Sequence, residues 1–147
     1  MSDIGLTHIA LPVTNLDASI AFYAKYASME VVHHREGPGG RVAWLSDKTR
    51  PFAIVLLEAG QVSNPLLPSA HLGVGCASRN EVDRLCAGAR AEGRLRLGPT
   101  DSGYPVGYWA LIADPDQHTL EIAFGQEVGL TVERAAAASA GTSQRKQ

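Results

Sequence analysis

Apolar positions along the chain fall into two successive runs of one kind. Leu6–Val13 is a nearly continuous apolar stretch closed by Pro12, Thr14 and Asn15, the pattern of a buried strand. Asn15 or Asp17 then caps a helix over Ala18–Ser28, in which Ile20, Ala21, Ala24 and Ala27, with Phe22 and Tyr23, recur at helical spacing. Three short strand-like pieces follow, Glu30–His34, Arg41–Leu45 and Phe52–Ala59, separated by turn material at Gly37–Gly40 and Ser46–Pro51. After a linker, Gly60–Ser69, the order repeats. Ala70–Cys76 reads as a strand, and Ser78 or Asn80 caps a helix over Glu81–Ala91 that puts Val82, Leu85, Cys86 and Ala89 on one face and stops at Gly93. Arg94–Leu97, Tyr108–Ala113 and Thr119–Phe124 complete the second run, with breaks at Gly98–Gly107 and Asp114–Gln117. The expectation is an α+β chain of two tandem βαβββ modules with mixed sheets, module one over 4–60 and module two over 69–125. From about Gly125 the apolar period is lost, so 126–147 is expected to be a flexible tail, opening with at most one helical turn.

Composition narrows the function classes. At 147 residues, 45% hydrophobic and 19% charged, residues 1–125 form a single domain of ordinary globular make-up. A net charge of -2 argues against nucleic acid or a membrane surface as partner, since both select a basic field. No apolar run reaches the roughly 18 residues of a membrane span, and Met1–Gly5 lacks the basic start of a signal peptide, so a cytoplasmic location is expected. In that compartment Cys76 and Cys86 are reduced thiols without an activating neighbour.

The candidate chemistry lies in four residues. His8 and His71 stand in the first strand of each module, and Glu58 and Glu121 in the last; His8 and His71 are 63 residues apart, and so are Glu58 and Glu121. A two-fold relation between the modules would bring two imidazoles and two carboxylates together, a donor set for a divalent first-row metal. An ionised Glu121 between Leu120 and Ile122 also needs a partner, which a metal supplies. His33 and His34 are adjacent and face opposite sides of a strand, and His118 reads as a turn residue.

Three segments resemble one known family. Thr7–Leu11 with Asn15–Tyr23, Ala70–Val74, and Asp114–Ile122 look like the vicinal oxygen chelate superfamily, which includes glyoxalase I, fosfomycin-resistance thiol transferases, methylmalonyl-CoA epimerase, extradiol dioxygenases and bleomycin-resistance proteins. The resemblance spans about residues 4–124 and implies that the two modules form a cup-shaped mixed sheet around a metal. It places His8, His71 and Glu121 at the three shared ligand positions and Glu58 at the fourth position of glyoxalase I. Gln117 departs from the glycine usual at that turn, which brings the local turn geometry into question.

The function implied is that of a glyoxalase I-like lyase or isomerase. It would use one divalent ion per site (Zn, Ni, Co, Mn or Fe) and Glu58 and Glu121 as proton carriers, moving a proton through a metal-bound enediolate of a small oxygenated substrate. The alternatives are an extradiol-type ring-cleaving dioxygenase with Fe(II), or a non-catalytic small-molecule binder of the bleomycin-resistance type. Tyr104, Tyr108 and Trp109 beside the Gly98–Gly107 loop, and Arg41 among the arginines, are the candidate substrate-binding residues. Two-module relatives often form homodimers, and some build each site across two subunits.

Overall fold

The computed structural model describes residues 3–144 and contains both expected modules. Module one runs β1 (His8–Val13), α1 (Leu16–Ala27), β2 (Glu30–Gly37), β3 (Gly40–Ser46) and β4 (Ala53–Glu58). Module two runs β5 (Leu72–Gly75), α2 (Arg79–Ala91), β6 (Leu95–Asp101), β7 (Tyr108–Ala113) and β8 (Thr119–Phe124). Each module builds its own four-stranded mixed sheet, ordered β1-β4-β3-β2 and β5-β8-β7-β6, with a parallel pair at one edge. The parallel pairs follow from the helix inserted between first and second strands. β1 and β5 are therefore both edge strands, each paired on one side only.

Helix starts agree with the capping expected from sequence. Asn15 caps α1 through the Ala18 amide, and Ser78 caps α2 through the Glu81 amide. Residues 126–147, expected as a tail, contain α3 (Val128–Gln144), whose side chains are exposed as far as Thr142; 145–147 lie outside the described residues. Its Ala135–Ala138 run favours helix without needing an apolar face.

Both helices lie against the same core. Leu11, Val13, Ile54 and Leu56 of the first sheet and Ala110, Ile112, Leu120 and Ile122 of the second are buried with α1 and α2 residues in one cluster. A polar network joins the modules through this region. Asp114, fully buried, accepts hydrogen bonds at Oδ2 from the Tyr23 hydroxyl (2.9 Å) and at Oδ1 from the amides of Asp116 (2.8 Å) and His118 (2.9 Å). His118, 1% exposed, accepts at Nδ1 from the Leu66 amide (3.1 Å), so Nε2 carries the proton it donates to the Pro12 carbonyl (2.8 Å). Asp116 closes the contact by accepting from the Thr14 amide and hydroxyl at 3.0 and 2.6 Å. Burial, and next the charge of Asp114, push the Tyr23 hydroxyl above its ordinary range; burial likewise raises Asp114 against the hydrogen bonds that favour its anion. Gln117 keeps the left-handed backbone of the turn (φ 72°), where Arg96 holds its carbonyl and side-chain oxygens, both at 2.9 Å.

The two arms of β4 do different work. Ile54, Leu56 and Glu58 share the face that covers α1, whereas Ala53, Val55 and Leu57 share the opposite, open face with His8 and Trp44. Glu58 is thus on the helix side. It accepts from the Leu16 amide in the first turn of α1 (3.2 Å) and from Arg41 Nη2 (2.7 Å), while Arg41 also reaches Asp17. Negative charge at that position satisfies an amide that the helix cannot. The Arg41 guanidinium holds the Glu58 carboxyl below its ordinary value, against desolvation and with help from the Leu16 amide.

Two outcomes follow. Tyr23→Phe leaves the buried Asp114 carboxylate one donor short and costs about 1.5–3 kcal/mol in urea denaturation. A depressed carboxylate pKa stabilises the fold above the unfolded-state value and loses that contribution as pH falls through the folded value. Glu58→Gln is therefore less stable than wild type near neutral pH, and the gap closes as pH falls below the ordinary glutamate range, followed by urea midpoints across the acid range.

Candidate functional site

The four residues expected as ligands do not converge within one chain. Register explains why. His8 lies against Ala53, 45 positions on, but Leu72 lies against Leu120, 48 positions on. If His8 corresponds to His71, then Val55 corresponds to Glu121, and Glu58 corresponds to Phe124. The shared 63-residue spacing of the two glutamates is not a structural equivalence. Glu58 stands five residues past the partner of His8, about 17 Å along the strand and on the other face. It is held by Arg41 and the first turn of α1, so the two carboxylates are not paired within the protomer.

Glu121 and His71 do meet. His71 Nε2 is 3.6 Å from Glu121 Oε2. Two ligands about 2.1 Å from one ion stand roughly 3.0–3.4 Å apart at octahedral to tetrahedral angles, so this pair lies a few tenths of an ångström wider than adjacent positions on one divalent ion, a gap that a small side-chain rotation closes. Each is oriented from behind. His71 Nδ1 donates to the Ser69 carbonyl (2.7 Å), which leaves Nε2 with its lone pair, and Gln126 Nε2 donates to Glu121 Oε1 (2.9 Å), which leaves Oε2 open. Gly73 lies directly across from Glu121, and nothing stands within 4 Å of the place a Cβ would take, so the space beside the carboxylate is clear. Glu121 is 8% exposed and has no Lys or Arg partner among the described residues.

His8 belongs to the other sheet. It is exposed, with Nδ1 2.9 Å from the Thr7 hydroxyl, and it lines a cavity of about 490 Å³ on the open face of module one. No set of three His, Cys, Asp or Glu side chains comes together within the protomer among the described residues.

The expected substrate-binding residues separate by face. Trp109 shares the Glu121 face, paired with Ala123, and its indole N–H donates to Ser102 Oγ (2.9 Å). Tyr108 faces α2 instead: its hydroxyl donates to Asp83, and the Arg79 guanidinium lies 4.3 Å from its ring centre. Arg41 is on the helix side with Glu58, and Tyr104 is 71% exposed at the tip of the β6–β7 loop. The residues that do surround His8 were not singled out from sequence: Arg35, Trp44, Arg50, Phe52 and Val55. Trp44 and Val55 are cross-strand partners on the His8 face, and the His33 ring meets Trp44 at a tilt of 57°, with ring centres 4.7 Å apart. The alternation of β3, with Ala43 and Leu45 buried, is the signal that places Trp44 outward. Both thiols are poor nucleophiles: burial, then the charge of Glu81, pushes Cys76 up to about 11, and burial raises Cys86.

Comparison with known proteins bears on this geometry. The family model described as Glyoxalase/Bleomycin resistance protein/Dioxygenase superfamily matches residues 5–122. An uncharacterized protein of Pseudomonas aeruginosa is 39% identical over 127 residues, covering 84% of this chain and 91% of its own. Among solved structures, the trypanothione-dependent glyoxalase I of Leishmania major has a TM-score of 0.64 at 20% identity, covering 97% of this chain and 99% of that one. A variant of the fosfomycin resistance protein FosX of Listeria monocytogenes, solved with Mn(II) and dihydroxypropylphosphonic acid, has a TM-score of 0.64 at 19% identity, covering 83% and 93%. At these identities the two structures share the fold with this chain. The match over both modules places the chain in the Glyoxalase/Bleomycin resistance protein/Dioxygenase superfamily.

Proposed function

We propose that the protein is a divalent-metal-dependent lyase or isomerase of glyoxalase type, acting on a small oxygenated molecule, with His8, His71 and Glu121 as the metal-binding residues. The observation that carries this reading is the pairing of a nearly buried Glu121 with the lone-pair nitrogen of His71, without any cation to balance it among the described residues. The Mn(II)-bound Listeria neighbour supports a metal of this kind. His8 lies on the sheet of module one, so the third donor comes from a second copy of the chain. Both sheets end in a parallel edge strand with one side unpaired, and those edges are where a two-fold partner would join.

In this reading a bound ion supplies Lewis-acid polarisation of the substrate oxygen. Everything else falls to the chain. The Ser69 carbonyl keeps the His71 proton on Nδ1, and Gln126 keeps Glu121 turned so that Oε2 faces the open side. As proton carrier, Glu121 would take the proton from the hydroxyl-bearing carbon of an α-hydroxycarbonyl substrate and return it to the adjacent carbonyl carbon while the hydroxyl proton passes to the other oxygen, so the substrate is isomerised with no net proton change and the carboxylate serves the ion and the proton in turn. Glu58 has no part in this, being held by Arg41.

Titration with Co(II) followed by its visible absorption tests the ligand set. Wild type binds one ion per chain; His8→Ala, His71→Ala and Glu121→Gln each weaken binding by roughly 100-fold or more, and Glu58→Gln leaves it unchanged. The proton-carrier role is read by deuterium uptake from D2O into hydroxyacetone, which Glu121→Gln slows by about 100-fold or more. Undiminished Co(II) affinity in Glu121→Gln overturns the reading.

A further inference from the structure

The cavity around His8 contains two guanidinium groups that the fold does not use. Arg35 and Arg50 both line it, and neither forms an ion pair among the described residues. The contrast with the other arginines is informative. Arg41, Arg79, Arg84 and Arg94 each meet a carboxylate, and Arg96 meets Gln117 and Thr119, whereas Arg90 and Arg134 also lack an ion pair among the described residues but are exposed on α2 and α3 and do not line the cavity. Arg50 has one long contact, from Nε to the Thr49 hydroxyl at 3.5 Å. Asp47, which feels the charge of Arg50, has its Oδ1 occupied by the Thr49 amide and hydroxyl. Asp3 is the one acid on the cavity wall.

Strand alternation explains how the two arginines reach the same space. Arg35 lies across from Val42 on β3, and Val42 lies across from Leu57, so Arg35 is on the open face with Trp44 and Val55. Arg50 enters from the turn between β3 and β4, next to Pro51 and Phe52. Between them the floor is apolar and aromatic: Trp44 is 41% exposed, with Phe52 and Val55 beside it. At about 490 Å³ the cavity is within the usual size of a small-molecule site.

We infer that this cavity selects an anionic substrate, one whose carboxylate or phosphoryl group is held by Arg35 and Arg50 while an apolar or planar portion rests on Trp44. The inference builds on the metal-site reading above, because it takes the His8 cavity as the substrate end of that site. It stands on different residues. Guanidinium groups match carboxylate and phosphoryl oxygens in geometry and charge, and both groups are free to do so here. Arg41, the arginine expected from sequence, is excluded by its pairing with Glu58 and Asp17.

The test uses indole N–H resonances of the whole protein, which has two tryptophans, with the Trp44 signal assigned by its loss in Trp44→Phe. Benzoate, phenyl phosphate and the neutral benzyl alcohol are titrated in EDTA, so no metal contributes. Benzoate or phenyl phosphate shifts the Trp44 signal at a concentration at least about ten-fold lower than benzyl alcohol does, and the better of the two identifies the oxyanion. The Arg35→Gln/Arg50→Gln double variant brings all three probes within about two-fold, while Arg35→Lys/Arg50→Lys retains part of the preference. Equal shifts by anions and alcohol in wild type, or an anion preference that survives the Gln double variant, overturn the inference. Because EDTA is present throughout, these outcomes are independent of the Co(II) titration, so failure of either reading is seen separately.

Discussion

Asp114 sits fully buried at the turn into β8, and it is tolerable there only because the Tyr23 hydroxyl and two backbone amides surround it. Tyr23 belongs to α1, so the cost of burying Asp114 is offset only when module one packs on module two. His118 and Asp116, from the same turn, bind Pro12 and Thr14 at the end of β1. The modules are consequently joined on their helix sides, which leaves the opposite faces of both sheets open. A network of this kind is sensitive to the loss of any member, since each remaining group is then desolvated without its partner.

That junction settles what each open face can offer. The first presents His8 above a floor of Trp44 and Val55; the second presents His71 and Glu121 beside the empty space over Gly73. In our reading the two faces are halves of one site. Charge agrees with this division. Among the described residues, Glu121 on one face pairs with no Lys or Arg, and in the His8 cavity Arg35 and Arg50 form no ion pair. A cup built from both would hold a cation near Glu121 and an anionic group near Arg35 and Arg50, at different places within one substrate-sized space.

Much of the fold was legible in the chain, and for a physical reason. Period-two and helical spacing mark strands and helices locally, so both βαβββ orders emerge from residues 6 to 124 with element ends a few positions off. Asn15 and Ser78 cap as their chemistry requires. His71 and Glu121 also come together as their types suggested. Register was not legible, because it depends on loop lengths. The β6–β7 connection spans residues 102–107, but the β2–β3 turn only residues 38–39, so the modules differ in spacing although His8 and His71 match. Equal spacing of Glu58 and Glu121 then suggested a symmetry that the sheets do not have. Parity along β4, with Ile54 and Leu56 buried and Glu58 in phase with them, carried the information that Glu58 faces the helix. The same parity argument removes Tyr108 and Arg41 from the open faces and adds Trp44 and Arg35 to them.

In our reading one metal site is shared by two copies of the chain. That sharing is tested most directly with a heterodimer of one His8→Ala protomer and one Glu121→Gln protomer, purified through two different tags and titrated with Zn(II). One of its two sites would combine both defects, and the other would combine the intact His8 of one protomer with the intact His71 and Glu121 of its partner. A shared site gives the heterodimer Zn(II) binding at about half the wild-type stoichiometry with wild-type affinity, whereas neither homodimer binds tightly. A heterodimer as deficient as the two homodimers would contradict it, since that result requires His8 and Glu121 to act within one chain.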